Sequence, residues 1–310
     1  MDVRKLILFG GNSHVISLPK KWLDLNGLSK GDPIYLETEG NKLILNSGIS
    51  QPKAEKMEVV INIDKGMNET TIERNLFGAY VHGATMIVFS GVELKKHSNK
   101  IIQLLKKYVA LEIVEHTGSK ILAKTYIDSA EVDVHSFIRR IDNTIRSMLL
   151  DLKECFESEG KDMDELIVTI LQREENIDKI KRMLYRVIFE RLKNPATKES
   201  ENPLDNLKNW ESIKNLEKIS NQIKYVSENI LLKHGNCKDV VEYVEKIRII
   251  YEEIMKCFYK NDVNCADNIS QKIKECRIEF EKNFKDNGRD KRQIILNLLE
   301  YLRDLNRLTY

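Results

Sequence analysis

The sequence predicts a multidomain α+β protein with three parts: an N-terminal β-β-α-β-β module, a small α/β middle domain and a C-terminal helical bundle. Three patterns in its 310 residues support this fold class. Apolar residues alternate with period two near the N-terminus, strand and helix patterns alternate in the middle, and apolar residues then recur every three or four positions. We place the three domains at residues 1–48, 57–128 and 132–310.

The N-terminal module combines short strand patterns with residues that form turns. Pro19 suits the first turn of a short helix, because its missing N–H would have no partner there. A module of about 48 residues cannot bury much core alone, so we expect it to form an intertwined dimer. The predicted elements are strands at Leu6–Leu8, Val15–Leu18, Ile34–Leu36 and Leu43–Leu45, and a helix through Trp22 and Leu25.

Strand and helix patterns alternate in the middle domain in the order β-α-β-α-β-β. Its glycines lack the spacing of a phosphate-binding loop, and its histidines lack the spacing of metal ligands. We therefore expect no cofactor motif here. The predicted elements are strands at Val59–Ile63, Met86–Phe89, Leu111–Glu115 and Ile121–Tyr126, with helices at about Glu69–His82 and around Ile101–Tyr108.

Six amphipathic helix patterns follow the middle domain. In the first, for example, Ile138, Ile141 and Ile145 recur at the three-to-four spacing of a buried stripe. A break at Asn194-Pro195 separates the second helix from the third. The lengths and order of the helices predict two related three-helix repeats, at about 132–234 and 237–310, packed as a bundle.

Composition argues against several functional classes. The net charge of +2 gives no global basic field, so DNA binding would need a local patch. No apolar run reaches the roughly 18 residues of a membrane span, and we expect no membrane insertion. The five cysteines form no C-x-x-C pair and are expected to be reduced, which favours the cytoplasm. No Ser/His/Asp or Cys/His arrangement stands out, so we predict that the protein is not an enzyme.

Acidic residues lie beside the apolar stripes of the helices, in pairs four positions apart. Oxygen ligands grouped between bundle helices hold divalent or trivalent metal ions such as iron. The alternative is a solvated charged edge, or pairing with Arg173, Lys181 and Lys218, and the residues alone favour this alternative. The candidate metal ligands are Glu174 and Asp178, Glu217 and Asn221, and Glu300 and Asp304.

The N-terminal module also carries candidate contacts to DNA, because phosphate binding requires cations. Nearby acidic residues, among them Asp24 and Asp32, nearly cancel the basic charge. The residues alone leave a DNA-binding surface and an ordinary charged surface equally open. The candidate DNA-binding residues are Arg4, Lys5, Asn12, Ser13, His14, Lys20 and Lys21.

The segment from Leu6 to Asn46 resembles the AbrB/MazE/SpoVT swapped-hairpin domain. The resemblance lies in the runs Val15-Ile16-Ser17-Leu18-Pro19-Lys20-Lys21-Trp22 and Gly27-Leu28-Ser29-Lys30-Gly31-Asp32. Members of that family are intertwined dimers, and many bind DNA near the dimer face. The resemblance therefore implies a homodimer with DNA contacts from Arg4, Lys5, Asn12, Ser13, His14 and Lys20.

The remainder of the chain is similar to the archaeal PhoU-type phosphate-uptake regulators. Ile138-Arg139-Arg140-Ile141 is similar to that family's first bundle helix, and the runs 173–178 and 215–221 resemble the acidic elements that bind its metal clusters. Asn221 stands here where an aspartate is usual, and Gln222 follows it where a histidine is common. The resemblance thus implies a PhoU-like bundle, with one metal site in the first repeat rather than two.

Together the two resemblances imply a cytoplasmic, dimeric, non-catalytic regulator of phosphate uptake. Its bundle is expected to restrain a phosphate-transport ATPase or a signalling protein, while its N-terminal dimer binds promoter DNA. Two alternatives stay open: a dimeric protein adaptor without DNA binding, and a metal-binding sensor built on the acidic pairs.

Overall fold

The computed structural model describes residues 3–11, 13–40, 42–47, 57–193, 202–231, 238–260, 262–283 and 289–309. The chain forms two compact units, Met1–Lys56 and Met57–Tyr310. The α/β segment and the helices that follow it share the second unit. The predicted fold class is confirmed: short strands at the N-terminus, a small mixed sheet in the middle and a helical C-terminal region.

The N-terminal unit contains two antiparallel hairpins on either side of one short helix, in the predicted order. The second strand is shorter than expected, because β1 offers only three partner residues, with Ile7 opposite Val15, and Ile16–Leu18 therefore lie outside the strand. Its elements are β1 Ile7–Phe9, β2 Ser13–Val15, α1 Lys20–Leu25, β3 Tyr35–Glu39 and β4 Lys42–Asn46.

The α/β segment has the predicted order β-α-β-α-β-β and one four-stranded sheet. The sheet order is β5-β6-β8-β7, with β5 parallel to β6 and the other pairs antiparallel. Ile61, Phe89 and Ile121 lie side by side in this register and are buried. The elements are β5 Glu58–Asn62, α2 Glu69–Val81, β6 Met86–Ser90, α3 Leu94–Leu105, β7 Leu111–His116 and β8 Lys120–Thr125.

The described residues of the C-terminal region form six helices in two sets of three, as the apolar periodicity predicted. Asp133 caps the first helix by accepting the backbone N–H groups of His135 and Ser136, and Asn202 followed by Pro203 begins the third. The first set is α4 Val134–Glu157, α5 Lys161–Lys193 and α6 Pro203–Val226, which continues as a π-helical turn Ser227–Leu231. The second set is α7 Lys238–Lys260, α8 Val263–Asn283 and α9 Arg289–Asn306.

A buried carboxylate joins the two sets of helices. Asp142 on α4 is 2% exposed and accepts hydrogen bonds from Arg146 Nε at 2.9 Å and from the Tyr259 hydroxyl of α7 at 3.0 Å. The ring of Tyr251, also on α7, lies under the Arg146 guanidinium. A buried charge needs both a counter-charge and hydrogen bonds, and Asp142 obtains both across the α4–α7 contact.

Two arginines on α5 attach the bundle to the α/β segment. Arg186 is 3% exposed and donates from Nη1 to the carbonyls of Tyr80 and Ala84, both at 2.9 Å, where α2 ends. One turn earlier, Arg182 donates to the carbonyl of Lys107, just past the end of α3. The C-terminal end of a helix carries partial negative charge, so each guanidinium both neutralises that charge and adds hydrogen bonds to carbonyls at the helix end. Burial lowers the pKa of Arg186, and Glu190 at 2.9 Å opposes that shift.

Two cysteines lie side by side where α7 meets α8. The structure brings the sulfur atoms of Cys257 and Cys265 together, with their Cα atoms 6.3 Å apart, a separation that a disulfide can span. Cys155 and Cys276 are buried free thiols. Cys237 lies outside the described residues.

We predict that Arg186→Met lowers the free energy of unfolding by about 3 kcal/mol, because Glu190 and two helix-end carbonyls lose a buried partner. Urea unfolding followed by circular dichroism measures this change. The matched control is Arg277→Met on α8, whose partner Glu281 is one turn away on an exposed face; its loss should stay below about 1 kcal/mol. Equal losses in both variants would contradict the structural role of Arg186.

Candidate functional site

The acidic positions singled out on α5 and α6 come together in the structure, around a lysine. Lys181 Nζ lies 2.6 Å from Asp178 Oδ1 and 2.6 Å from Glu217 Oε1, so one ammonium group joins the two helices. Asp178 also accepts from Arg182 at 2.6 Å. A cation of the chain itself therefore occupies the position between these two carboxylates.

The other two residues of the first-repeat set are also engaged. Glu174, 6% exposed, accepts a hydrogen bond from Lys224 of α6 at 2.8 Å. The Asn221 amide donates to Glu217 Oε1 at 3.2 Å and so acts as a donor toward the carboxylate. All four predicted positions thus belong to one α5–α6 network whose negative charge is balanced by lysine and arginine.

The charges in this network set the protonation of its central carboxylate. Burial alone would raise the pKa of Asp178, but the charges and hydrogen bonds of Lys181 and Arg182 outweigh it and hold that pKa below its usual value. Asp178 is thus fully ionised near neutral pH. The ionised form stabilises the α5–α6 contact.

The second-repeat candidates lie in pairs confined to their own helix. Glu300 accepts from Arg303 at 3.0 Å, and Asp304 lies 3.4 Å from Arg307, all on α9 or the 3₁₀ turn that follows it. Across the described ranges, no three His, Cys, Asp or Glu side chains are grouped so as to hold a metal ion. A metal ion binds at these residues only if it displaces Lys181, so the metal analysis described below decides whether they hold one.

The predicted DNA-binding residues lie on the surface of the N-terminal unit. Lys20 and Lys21 are exposed at the start of α1, while Ser13 and His14 lie in β2 beside the β1–β2 turn. Arg4 and Lys5 are exposed in the segment that leads into β1. Asn12 lies outside the described residues. Whether these side chains contact DNA stays a prediction.

The N-terminal unit exposes an unusual amount of apolar surface. None of its described side chains is buried, and Leu8 and Phe9 of β1 are 62% and 70% exposed. A folded module normally covers such residues, and this much exposed apolar surface indicates an interaction with another molecule. Other exposed apolar residues of the unit are Val3, Leu6, Ile7, Val15, Ile16, Leu25, Tyr35, Leu36 and Leu43.

Two family profiles match the chain, one in each compact unit. Residues 7–56 match the profile described as antidote-toxin recognition MazE, bacterial antitoxin. Residues 138–230, which span most of α4, all of α5 and α6 and most of the π-helical turn, match the PhoU domain. No curated protein and no solved structure gave a significant match to the chain.

The fold and the matches together define a protein of two compact units. A small β-rich unit comes first, and the second unit combines the α/β segment with a helical bundle. The particular matches are to a MazE antitoxin domain at residues 7–56 and to a PhoU domain at residues 138–230, each over less than half of the chain. Within the part of the chain that the structure describes, no helix combines the length and apolar character needed to cross a membrane.

Sequence reasoning missed two features of the site. The partners of the acidic pairs depend on which neighbouring helix faces them. Of the three basic residues expected to pair with them, only Lys181 does so. Arg173 pairs instead with Asp151, and Lys218 lies over the Tyr301 ring. The anchoring role of Arg182 and Arg186 was also missed. A signal existed, since apolar residues surround both arginines on every side of this part of α5, where an exposed charge would be out of place: Met183, Leu184, Tyr185, Val187 and Ile188 are all buried.

We predict that the protein purified from metal-containing medium holds less than one equivalent of iron or another divalent or trivalent ion, because Lys181 already neutralises the carboxylates. Elemental analysis measures the content, and Lys181→Ala should raise it by vacating the position. Near-stoichiometric metal in the wild type that is lost in Glu174→Ala and Glu217→Ala would contradict this prediction and establish a metal site.

We predict that the exposed apolar strand of the N-terminal unit is covered by a second copy. The full chain should then run at twice its 36.1 kDa mass in light scattering. Phe9→Asp should shift the protein toward monomer, because a buried unpaired charge opposes association. The control is Val92→Asp, at a residue 75% exposed in the second unit. A monomeric wild type, or equal effects of both substitutions, would contradict the prediction.

Proposed function

We propose that the chain regulates phosphate uptake and phosphate homeostasis in the cytoplasm, acting negatively and without catalysis. The observation that carries this proposal is the order of two modules: a MazE/AbrB-like domain at residues 7–56, ahead of a PhoU domain at residues 138–230. PhoU domains associate with phosphate regulation, and MazE/AbrB-like domains with binding to DNA or to protein partners.

In this proposal the bundle binds a phosphate-transport ATPase or a signalling protein. The buried arginines and the Lys181 network support a preformed surface, because they fix α5 against both α6 and the α/β segment. A rigid binding surface loses little conformational entropy when a partner docks. The regulator then acts by shifting its partner between states, rather than by making or breaking bonds.

The N-terminal module supplies the dimer and a contact to promoter DNA. Its uncovered apolar residues call for a partner copy, and dimerisation doubles the basic groups that Lys20 and Lys21 place at the start of α1. A second set of basic groups raises the affinity for DNA, because each DNA phosphate that a lysine neutralises releases a counterion. The competing function is a dimeric adaptor whose basic residues touch no DNA.

A complementation experiment separates these functions. Deleting the gene should raise phosphate uptake at high external phosphate and disturb phosphate-responsive transcription, and the wild-type chain should restore both. The double variant Lys20→Ala/Lys21→Ala should restore uptake but not transcription if DNA is bound, whereas Lys161→Ala, at an exposed lysine of α5, should restore both. Anisotropy on the gene's own upstream DNA should show the same loss, together with a steep decline with salt.

Each result has a defined meaning. Unchanged uptake and unchanged transcription in the deletion strain would refute the phosphate function. Full rescue by the double lysine variant, with equal and weak binding to upstream and random DNA, would remove DNA from the proposal and leave the adaptor.

A further inference from the structure

A polar groove runs between α4 and α5, on a surface that the carboxylate network does not use. It has a volume of about 490 Å³ and opens to solvent. All of its lining side chains except Ile180 are polar, and none of them is acidic. The groove includes three arginines, Arg139 and Arg140 from α4 and Arg173 from α5. Such a lining suits an anion.

Neighbouring carboxylates neutralise only part of this charge. Arg173 forms an ion pair with Asp151. The other nearby acids are engaged away from the arginines: Asp142 is buried against Arg146, Glu174 pairs with Lys224, and Glu175 pairs with Lys179. Arg140 is exposed, and no hydrogen bond or ion pair of its side chain occurs within the described residues. The groove therefore keeps a net positive charge.

Two of the arginines are held in place before any ligand binds. The guanidinium of Arg139 lies over the ring of Tyr259, 4.7 Å from its centroid, and Arg173 is fixed by Asp151. Each guanidinium has five N–H donors, so these contacts leave donors for a ligand. Preorganised donors cost less entropy on binding than free ones.

The remaining donors in the groove are amides rather than hydroxyls. Asn143 and Asn176 line it and are exposed. The hydroxyl of Thr144 donates to the carbonyl of Arg140, and that of Ser147 donates to the carbonyl of Asn143, so neither proton is available. Arginine forks with amides nearby match the oxygen geometry of phosphate better than that of a simple halide.

We propose that this groove binds a small phosphate-bearing anion, with Arg140 as the principal contact and Arg139, Arg173, Asn143 and Asn176 around it. The anion is free orthophosphate or the phosphate group of a small ester. The proposal concerns a ligand site of its own and does not rest on the proposed function. Direct binding of this kind would give the bundle a signal to respond to.

Isothermal titration calorimetry on the full chain tests the proposal. The probes are orthophosphate and ADP, titrated separately at constant ionic strength. Arg140→Gln should weaken binding at least about tenfold, because a charge-assisted hydrogen bond is lost. The affinity of the Arg140→Lys variant should lie between those of the wild type and of Arg140→Gln, since lysine keeps the positive charge but lacks the paired N–H donors of the guanidinium. Thr144→Val within the groove and Lys161→Gln outside it should bind like the wild type.

The two probes distinguish the source of the anion. Binding of orthophosphate supports the free ion as the ligand, and binding of ADP alone supports a phosphate ester. Either result supports the site if the Arg140→Gln variant binds the probe more weakly while the unfolding midpoint of the variant stays that of the wild type. The absence of heat with both probes would overturn the proposal. So would an affinity that is the same in the wild type, Arg140→Gln and Arg139→Gln.

Discussion

The second unit depends on two guanidinium groups that α5 carries into the ends of other helices. The α/β segment forms one sheet with two helices, and the C-terminal ends of those helices, with their partial negative charge, face the bundle. From adjacent turns of α5, Arg186 donates hydrogen bonds at the end of α2 and Arg182 donates one just past the end of α3. Because a helix is rigid over this distance, attaching one end of α5 also fixes where its acidic positions meet α6. The anchor and the carboxylate network thus lie on one continuous element.

The carboxylate network shows how a single residue decides the chemistry of a cluster. Oxygen atoms from Asp178 and Glu217 converge as they would around a metal ion, yet Lys181 Nζ stands 2.6 Å from each. An ammonium supplies the same sign of charge and three donors, without exchangeable ligand positions. Asn221, as a donor to Glu217, further lowers the negative charge available to an external cation. In this arrangement Lys181 balances the carboxylate charge across the contact between α5 and α6.

The sequence predicted those parts of the structure that follow from local pattern. Stripes such as Ile138, Ile141 and Ile145 gave all six helices, and alternating apolar residues gave the β-α-β-α-β-β order of the middle segment. The spacing of Glu174, Asp178 and Glu217 correctly placed them where two helices meet. What the sequence could not supply was the identity of each partner across a helix contact. Three features depend on tertiary distance: the proximity of Cys257 to Cys265, the roles of Arg182 and Arg186, and the convergence of Arg139, Arg140 and Arg173.

The lack of any buried side chain among the described residues of the N-terminal unit has a consequence for how the molecule responds to its own abundance. If the second copy predicted above covers this unit, the stability of the unit rises with the concentration of the protein, since a partner that binds only the folded form stabilises it by mass action. The second unit has its own buried core, and its stability carries no such dependence on concentration.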